Sequence, residues 1–461
     1  MPRLERILFF SFLALLVWLP IPLGSNRPWA WSIAEIWISL QSIGLLFCYG
    51  RNLPWQHVWK FKFLLVPLGL FQCWVLLQTT VLPQSLVALL SPKAESIYTL
   101  VGAPDYSVSL DRGMTLTSLL RGVSYWLFLF NAILLINCGR RLKIAIMALV
   151  ISGCFQAFYA AVMVLLGTTE SLVFGYPEKH IATGSFVYKN HLANYLMMCL
   201  CMGLGLIVTE LHTSPSGSWF IRIKRWLSGM LSAKMMVRLA LIIMVIALVM
   251  TRSRMGNTAF FAATTIGGLL ALVIYKDKPR ALTVLVLSVL AIDTFVVGTL
   301  FGLEKVKQRL VETSIEAESR DQVVIWSLDI IKDYPLTGTG LASFYTVFPG
   351  YSKAYIGFYD HAHNDYIQFL VEAGIPATLM LGMMVLYALF TSLKVQKKRN
   401  SRTMKGLALG CTMAIIGMLI HISVDFNLQP MANALTFIFI LFVAFACSKL
   451  PAQNRKAFVV E

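Results

Sequence analysis

Apolar runs about as long as a bilayer crossing, roughly 17–25 residues, recur along the whole chain and are separated by shorter polar stretches. They lie near 7–23, 30–49, 61–82, 118–138, 143–167 and 191–210, then near 235–251, 255–275, 282–301, 366–393, 406–424 and 431–448. This pattern predicts an all-α, polytopic integral membrane protein with twelve spans, built as a single membrane domain over residues 1–461. Alternation of the spans leaves three sizeable polar segments on one side, 83–117, 168–190 and 302–365. Within the last, Ser319-Arg320-Asp321-Gln322 precedes VVIWSLDIIKDY, a helix-period run that stops at Pro335. Ser319 as N-cap with Gln322 at the third helical position reads as a capping box, so a helix lying along the membrane surface and starting at Arg320 is expected. A second surface helix is expected in the basic, aromatic loop Thr213–Ser232.

Composition strengthens this reading. Of 461 residues 57% are apolar and 13% charged, whereas a water-soluble domain carries about 25% charge. The formal charge of +17 is concentrated in alternate loops, among them Arg3/Arg6, Arg140/Arg141/Lys143 and the run from Lys394 to Lys405. Basic residues are retained on the cytoplasmic side, which puts both termini there and the three sizeable loops outside. The charge is therefore a topology signal, and no nucleic-acid partner is expected. The first run has no small-residue cleavage site and reads as a retained helix. All eight cysteines lie in or beside apolar segments with no CxxC pair, which suits buried packing better than disulfides or metal.

Against such a background the polar exceptions carry the information. Thr251-Arg252-Ser253-Arg254 puts two guanidiniums on the outer side, where positive charge is otherwise avoided; they either snorkel to lipid phosphates or serve as planar forks for a diphosphate. Arg320, expected at a helix start, has the surroundings of an anion site, or else pairs with Glu318 or Asp321. The cluster Asp360, His361, His363, Asn364 and Asp365 offers a general base beside carboxylates or, more blandly, a helix cap. As a zinc site it is weak, because no third nitrogen or sulfur ligand is near. His180, Lys189, Asn190 and His191 flank the start of the sixth run and are caps or members of the same site. Asp293, His421 and Asp425 are costly at membrane depth and need partners; Asp425 is close enough to the outer side to join. No P-loop, GxGxxG or DxD-like nucleotide site is visible.

From Thr183 onward the residues resemble the O-antigen ligase and polymerase superfamily of bacterial envelope glycosyltransferases. The ligase signature is His-Asn, nine residues, then Gly-x-x-Gly; here His363-Asn364 is followed after nine residues by Gly374-Ile375-Pro376, with Ala377 in place of the last Gly. TGSFVYKNHLANYL, TRSRMG, SRDQVVIWSLDIIKDYPLTGTGLASF and HISVDFNLQPMANAL are similar to four further blocks in the family's order, so that the likeness spans 180–435. Ile181 stands where many members carry Arg, with His180 beside it. The resemblance implies a multi-pass enzyme of the bacterial inner membrane that moves a glycan from undecaprenyl diphosphate to a hydroxyl of lipid A-core or a similar acceptor, without metal or other cofactor and with inversion. It implies that Arg254 and Arg320 hold the diphosphate and that His363 deprotonates or orients the acceptor hydroxyl. Arg252, His180, Lys189, Asn190, His361, Asn364 and Asp425 are candidate supports. Polysaccharide polymerases and protein O-oligosaccharyltransferases share these blocks. From other classes, a secondary transporter or a non-catalytic assembly subunit also fits a polytopic chain.

Overall fold

A computed structural model describes residues 3–50, 52–176, 181–210, 233–275 and 315–451, with the isolated positions 283, 287, 288 and 291. Its regular elements are helical, as the periodicity predicts. They are α1 (Arg3–Trp18), α2 (Pro28–Tyr49), α3 (Lys62–Thr79), α4 (Gln84–Leu90), α5 (Pro92–Leu100), α6 (Arg112–Leu135), α7 (Gly139–Leu166) and α8 (Lys189–Glu210). After these come α9 (Ala233–Met250), α10 (Arg254–Ile274), α11 (Ile315–Asp333), α12 (Phe344–Val347), α13 (Asp365–Lys398), α14 (Arg402–His421) and α15 (Met431–Lys449). Nine helices among the described residues are long and apolar enough to cross a membrane; Met235–Met250 is shorter. The predicted ninth span, 282–301, lies outside the described residues save for isolated positions, as do Asp293, His180 and the loop Thr213–Ser232.

The centre of the bundle is α15, apolar on every face and almost wholly buried, which is the pattern of a helix with no water-facing side. Beside it α8 and α14 pack backbone to backbone, because Gly205 faces Gly406 and Gly410; a Cβ on Gly205 would stand 2.7 Å from the Gly406 carbonyl oxygen. Small residues spaced four apart are how membrane helices approach closely. At the rim, large apolar side chains such as Leu40, Phe47 and Val273 are exposed, as suits a surface solvated by lipid. At one end of the bundle a buried ion pair joins α1 to α7: Arg141 Nη1 lies 2.8 Å from Glu5 Oε1. At the other end the connections widen into a lobe with its own core, in which Val87 and Ala94 meet Val323, Trp326, Ile330 and Phe344.

The lobe is joined to the bundle at a break in α13. Gly374 takes φ +80°, ψ 169° and interrupts the helix just before Pro376. The freed carbonyls all find donors: Val371 O accepts from Thr339 N at 2.8 Å, Glu372 O from Gly340 N at 3.0 Å and Gln78 Nε2 at 2.9 Å, and Ala373 O from Trp74 Nε1 at 3.0 Å. The Glu372 carboxylate accepts from Ala342 N at 2.8 Å and Gln368 Nε2 at 3.0 Å. Gly338 and Gly374 permit the approach, since a Cβ on either would lie 2.3–2.4 Å from backbone atoms of the facing strand of chain. Ala377, the departure from the motif, is buried in helix beyond the break, where no glycine is required.

One expectation fails here. α11 begins at Ile315, so Ser319 is not its N-cap and Arg320 is not at its first position. Ile315-Glu316-Ala317-Glu318 belongs to the helix, and the Ser319 hydroxyl hydrogen-bonds Tyr359 Oη at 2.6 Å instead of capping. The helix-terminus argument for Arg320 is thereby lost.

Candidate functional site

The start of α13, the 422–430 turn after α14, the start of α8, the start of α10 and α11 meet at the lobe end of the bundle. Their common point is the ring of Phe426. Tyr188 and His361 lie parallel to it, with centroids at 5.8 and 4.5 Å, while His191 and His363 stand perpendicular at 4.9 and 4.7 Å. Beside this ring Asp425, 1% exposed, reaches His363: Oδ1 is 3.7 Å from Nδ1. Its other oxygen accepts from Asn190 Nδ2, which also donates to Tyr188 Oη at 2.9 Å. Burial alone would push the Asp425 carboxyl up, but His363 and the imidazoles of His191 and His421 hold it below its ordinary value. It is therefore an anion facing His363.

His363 adopts φ +50°, left-handed backbone for a residue with a Cβ. Such strain persists only where its surroundings enforce it. Here Asn364 caps α13, accepting from Ile367 N at 3.2 Å, and donates to Ser423 O at 2.8 Å, while Asp365 N donates to Ile422 O at 3.0 Å. Asn364 thus serves as a fastener that orients its neighbour. His361 Nδ1 is 3.0 Å from Asp360 Oδ1, and that contact holds the Asp360 carboxyl below its usual range.

The cations arrive from three segments. Arg320, half-buried on α11, donates to Tyr188 Oη at 3.4 Å. Burial opposes its charge, but Tyr188 and Asp425 favour it, and it is held above its ordinary value. Lys189, first residue of α8, lies within electrostatic range of Arg254, Arg320 and Arg252 as well as of Asp425. Ser253 caps α10, its hydroxyl accepting from Gly256 N at 3.2 Å, so Arg254 occupies the first helical position. The juxtaposition of a guanidinium with a helix N-terminus, expected at Arg320, is found at Arg254. Arg252 repeats the left-handed backbone of His363, with φ +50°.

Arg252, Arg254, Lys189, Arg320, Asn190, His361, His363, Asn364 and Asp425 are thus gathered at one place; His180 lies outside the described residues. Sequence reasoning passed over Tyr188, Tyr359 and Phe426. Tyr359 stands perpendicular to His363 at 5.7 Å and receives the Ser319 contact. The available signal was adjacency, because Tyr188-Lys189-Asn190-His191, Tyr359-Asp360-His361 and Asp425-Phe426 each set an aromatic beside polar candidates. Among the described residues no group of three or more His, Cys, Asp or Glu has the geometry to hold a metal ion. Chemically, several cations beside one carboxylate–imidazole pair suit a polyanionic ligand and a proton transfer next to it.

No curated protein matches the chain. Residues 239–382 match the family model described as O-antigen ligase. That stretch contains Arg252, Arg254, Arg320, His361 and His363, whereas Lys189, Asn190 and Asp425 join the site from outside it. By this match residues 239–382 are similar to the O-antigen ligase family.

Proposed function

We propose that this protein is a ligase-type glycosyltransferase of the bacterial inner membrane, with both termini cytoplasmic, that moves a glycan from undecaprenyl diphosphate to a hydroxyl of lipid A-core or a similar acceptor on the outer face. The observation that carries the reading is the gathering of Arg254, Arg320 and Lys189 around a strained His363 backed by Asp425. In this scheme Arg254 and Arg320 bind the diphosphate and stabilise the charge that grows as it departs. His363 takes the proton of the acceptor hydroxyl, and Asp425 stabilises the imidazolium that forms. The acceptor oxygen bonds to the anomeric carbon from the face opposite the leaving group. The carbon–oxygen bond to phosphate breaks with its electron pair on the diphosphate, and the configuration inverts.

The experiment is reconstitution of the purified protein with an undecaprenyl-diphosphate-linked glycan and lipid A-core. The expected products are free undecaprenyl diphosphate and a glycan joined to the core with inverted anomeric configuration. Retained configuration, or donor left intact with every hydroxyl acceptor offered, would refute the proposal.

A further inference from the structure

A second feature lies across the α13 start from the cations. Between α3, α6, α13, α14 and α15 the bundle leaves a cavity of about 240 Å³, walled by Leu68, Phe71, Leu381, Phe437 and Leu441. Interiors otherwise pack with few voids larger than a water molecule, so a cavity of this size is a built feature. Its volume falls just under the roughly 300 Å³ of the smallest ligand clefts, which suits one length of chain with the rest of the molecule outside. Asp365 and Glu372 border it at the lobe end, and Tyr125 and Met384 border it deeper along α6 and α13.

Three polar atoms on this wall have no hydrogen-bond partner among the described residues: Asp365 Oδ1, Gln72 Oε1 and Arg121 Nε. Asp365 is 0% exposed; its other oxygen accepts from Leu428 N at 2.9 Å, and the Gln429 side chain lies beside the carboxyl. An orphaned buried acceptor at a cavity wall is costly unless a ligand donates to it. Arg121 sits nine residues into α6, roughly 13 Å along the helix from Arg112. Its guanidinium covers the Trp31 ring at 4.0 Å and lies within electrostatic range of Glu35. Gly382 is exposed at the rim, and a Cβ there would meet nothing within 4 Å. Asp365 is two residues from His363 and Leu428 three from Asp425, so cavity and imidazole share a wall.

We propose that this cavity seats a hydrocarbon chain of a second membrane lipid, distinct from the prenyl donor, whose polar head donates a hydrogen bond to Asp365 and presents an anionic group to Arg121. Resting on the function above, this is the lipid that brings the acceptor hydroxyl to His363, from the side opposite the donor diphosphate. The donor and acceptor lipids then occupy separate grooves and meet only at their heads.

The test uses the full chain in phosphatidylethanolamine vesicles doped with phosphatidylglycerol that bears a mid-chain diazirine. On illumination, label is expected on α6 and α13 peptides facing the cavity. It should fall at least about tenfold in Gly382→Trp, which blocks the mouth without a clash, and severalfold in Arg121→Gln, and it should persist in His363→Ala. Excess undecaprenyl phosphate should leave the label in place. Equal labelling of Gly382→Trp and wild type, or displacement by undecaprenyl phosphate, would overturn the assignment of the cavity to a second lipid. Loss of glycan transfer in His363→Ala alongside either result would leave the catalytic reading standing, so the two failures are separable.

Discussion

The fourteen residues from His361 to Gly374, at the start of α13, hold two buried polar assemblies that differ in one respect. At the break, the carbonyls of Val371, Glu372 and Ala373 and the Glu372 carboxylate are all hydrogen-bonded, mostly to backbone of the facing loop. At the helix start, among the described residues, Asp365 Oδ1 is buried without a hydrogen bond, His363 Nδ1 has Asp425 no nearer than 3.7 Å, and His363 is strained. Polar groups satisfied on every side hold a structure together; those left wanting near cations await something that binds. The break is a joint, and the helix start is a site.

Substitutions should separate the two. Gly374→Val at the joint is expected to have the largest effect, because a left-handed backbone and a backbone clash together cost more than about 3 kcal/mol. Thermal unfolding in detergent should show little or no folded protein, and a near-native transition would break the distinction. Arg320→Ala at the site should fold normally yet lower transfer about 10²- to 10³-fold, as loss of a charge-stabilising donor does. A fall in stability matching the fall in rate would move Arg320 to the joint.

Asp425→Asn removes a charge-assisted contact worth about 1.5–3 kcal/mol, and a drop in kcat of roughly ten- to a hundredfold is expected. Because the folded carboxyl is held below its unfolded value, its contribution is fully present above about pH 3.9 and lost only as pH falls through the depressed value. Asp425 therefore stays ionised between about pH 5 and 8, so the rate lost in Asp425→Asn should be seen throughout that range; a wild-type rate anywhere within it would detach Asp425 from the reaction. The smallest expected effect is that of a chelator. Since protein cations meet the diphosphate in this scheme, transfer in excess EDTA should stay within about twofold of the untreated rate.

Much of this was legible in the sequence because lipid imposes a simple code. Apolar runs of bilayer length gave the described helices, and the cost of Arg252, Arg254 and Asp425 near the membrane singled out residues that the fold gathers at the candidate site. What escaped depends on contacts distant in sequence. Phe426 reads as one more apolar residue until Tyr188, His191, His361 and His363 close around it. The joint was hidden because most of its donors are backbone groups and two side chains of α3, Trp74 and Gln78, nearly 300 residues away. The start of α11 was misjudged because a capping box is a local signal, and Ser319 bonds Tyr359 across the lobe instead. Arg121 drew no notice because a lone Arg in an apolar run shows neither its cavity nor its unpaired nitrogen.

Single-turnover transfer by His363→Ala, measured together with equilibrium binding of the undecaprenyl-diphosphate glycan, bears most directly on the site. A general base acts on the rate and not on donor affinity, so donor Kd should stay within about twofold of wild type while the chemical step slows by about 10²- to 10⁴-fold. Wild-type turnover in that variant, with the glycan still transferred to a hydroxyl, would contradict the assignment of His363 and the mechanism built on it.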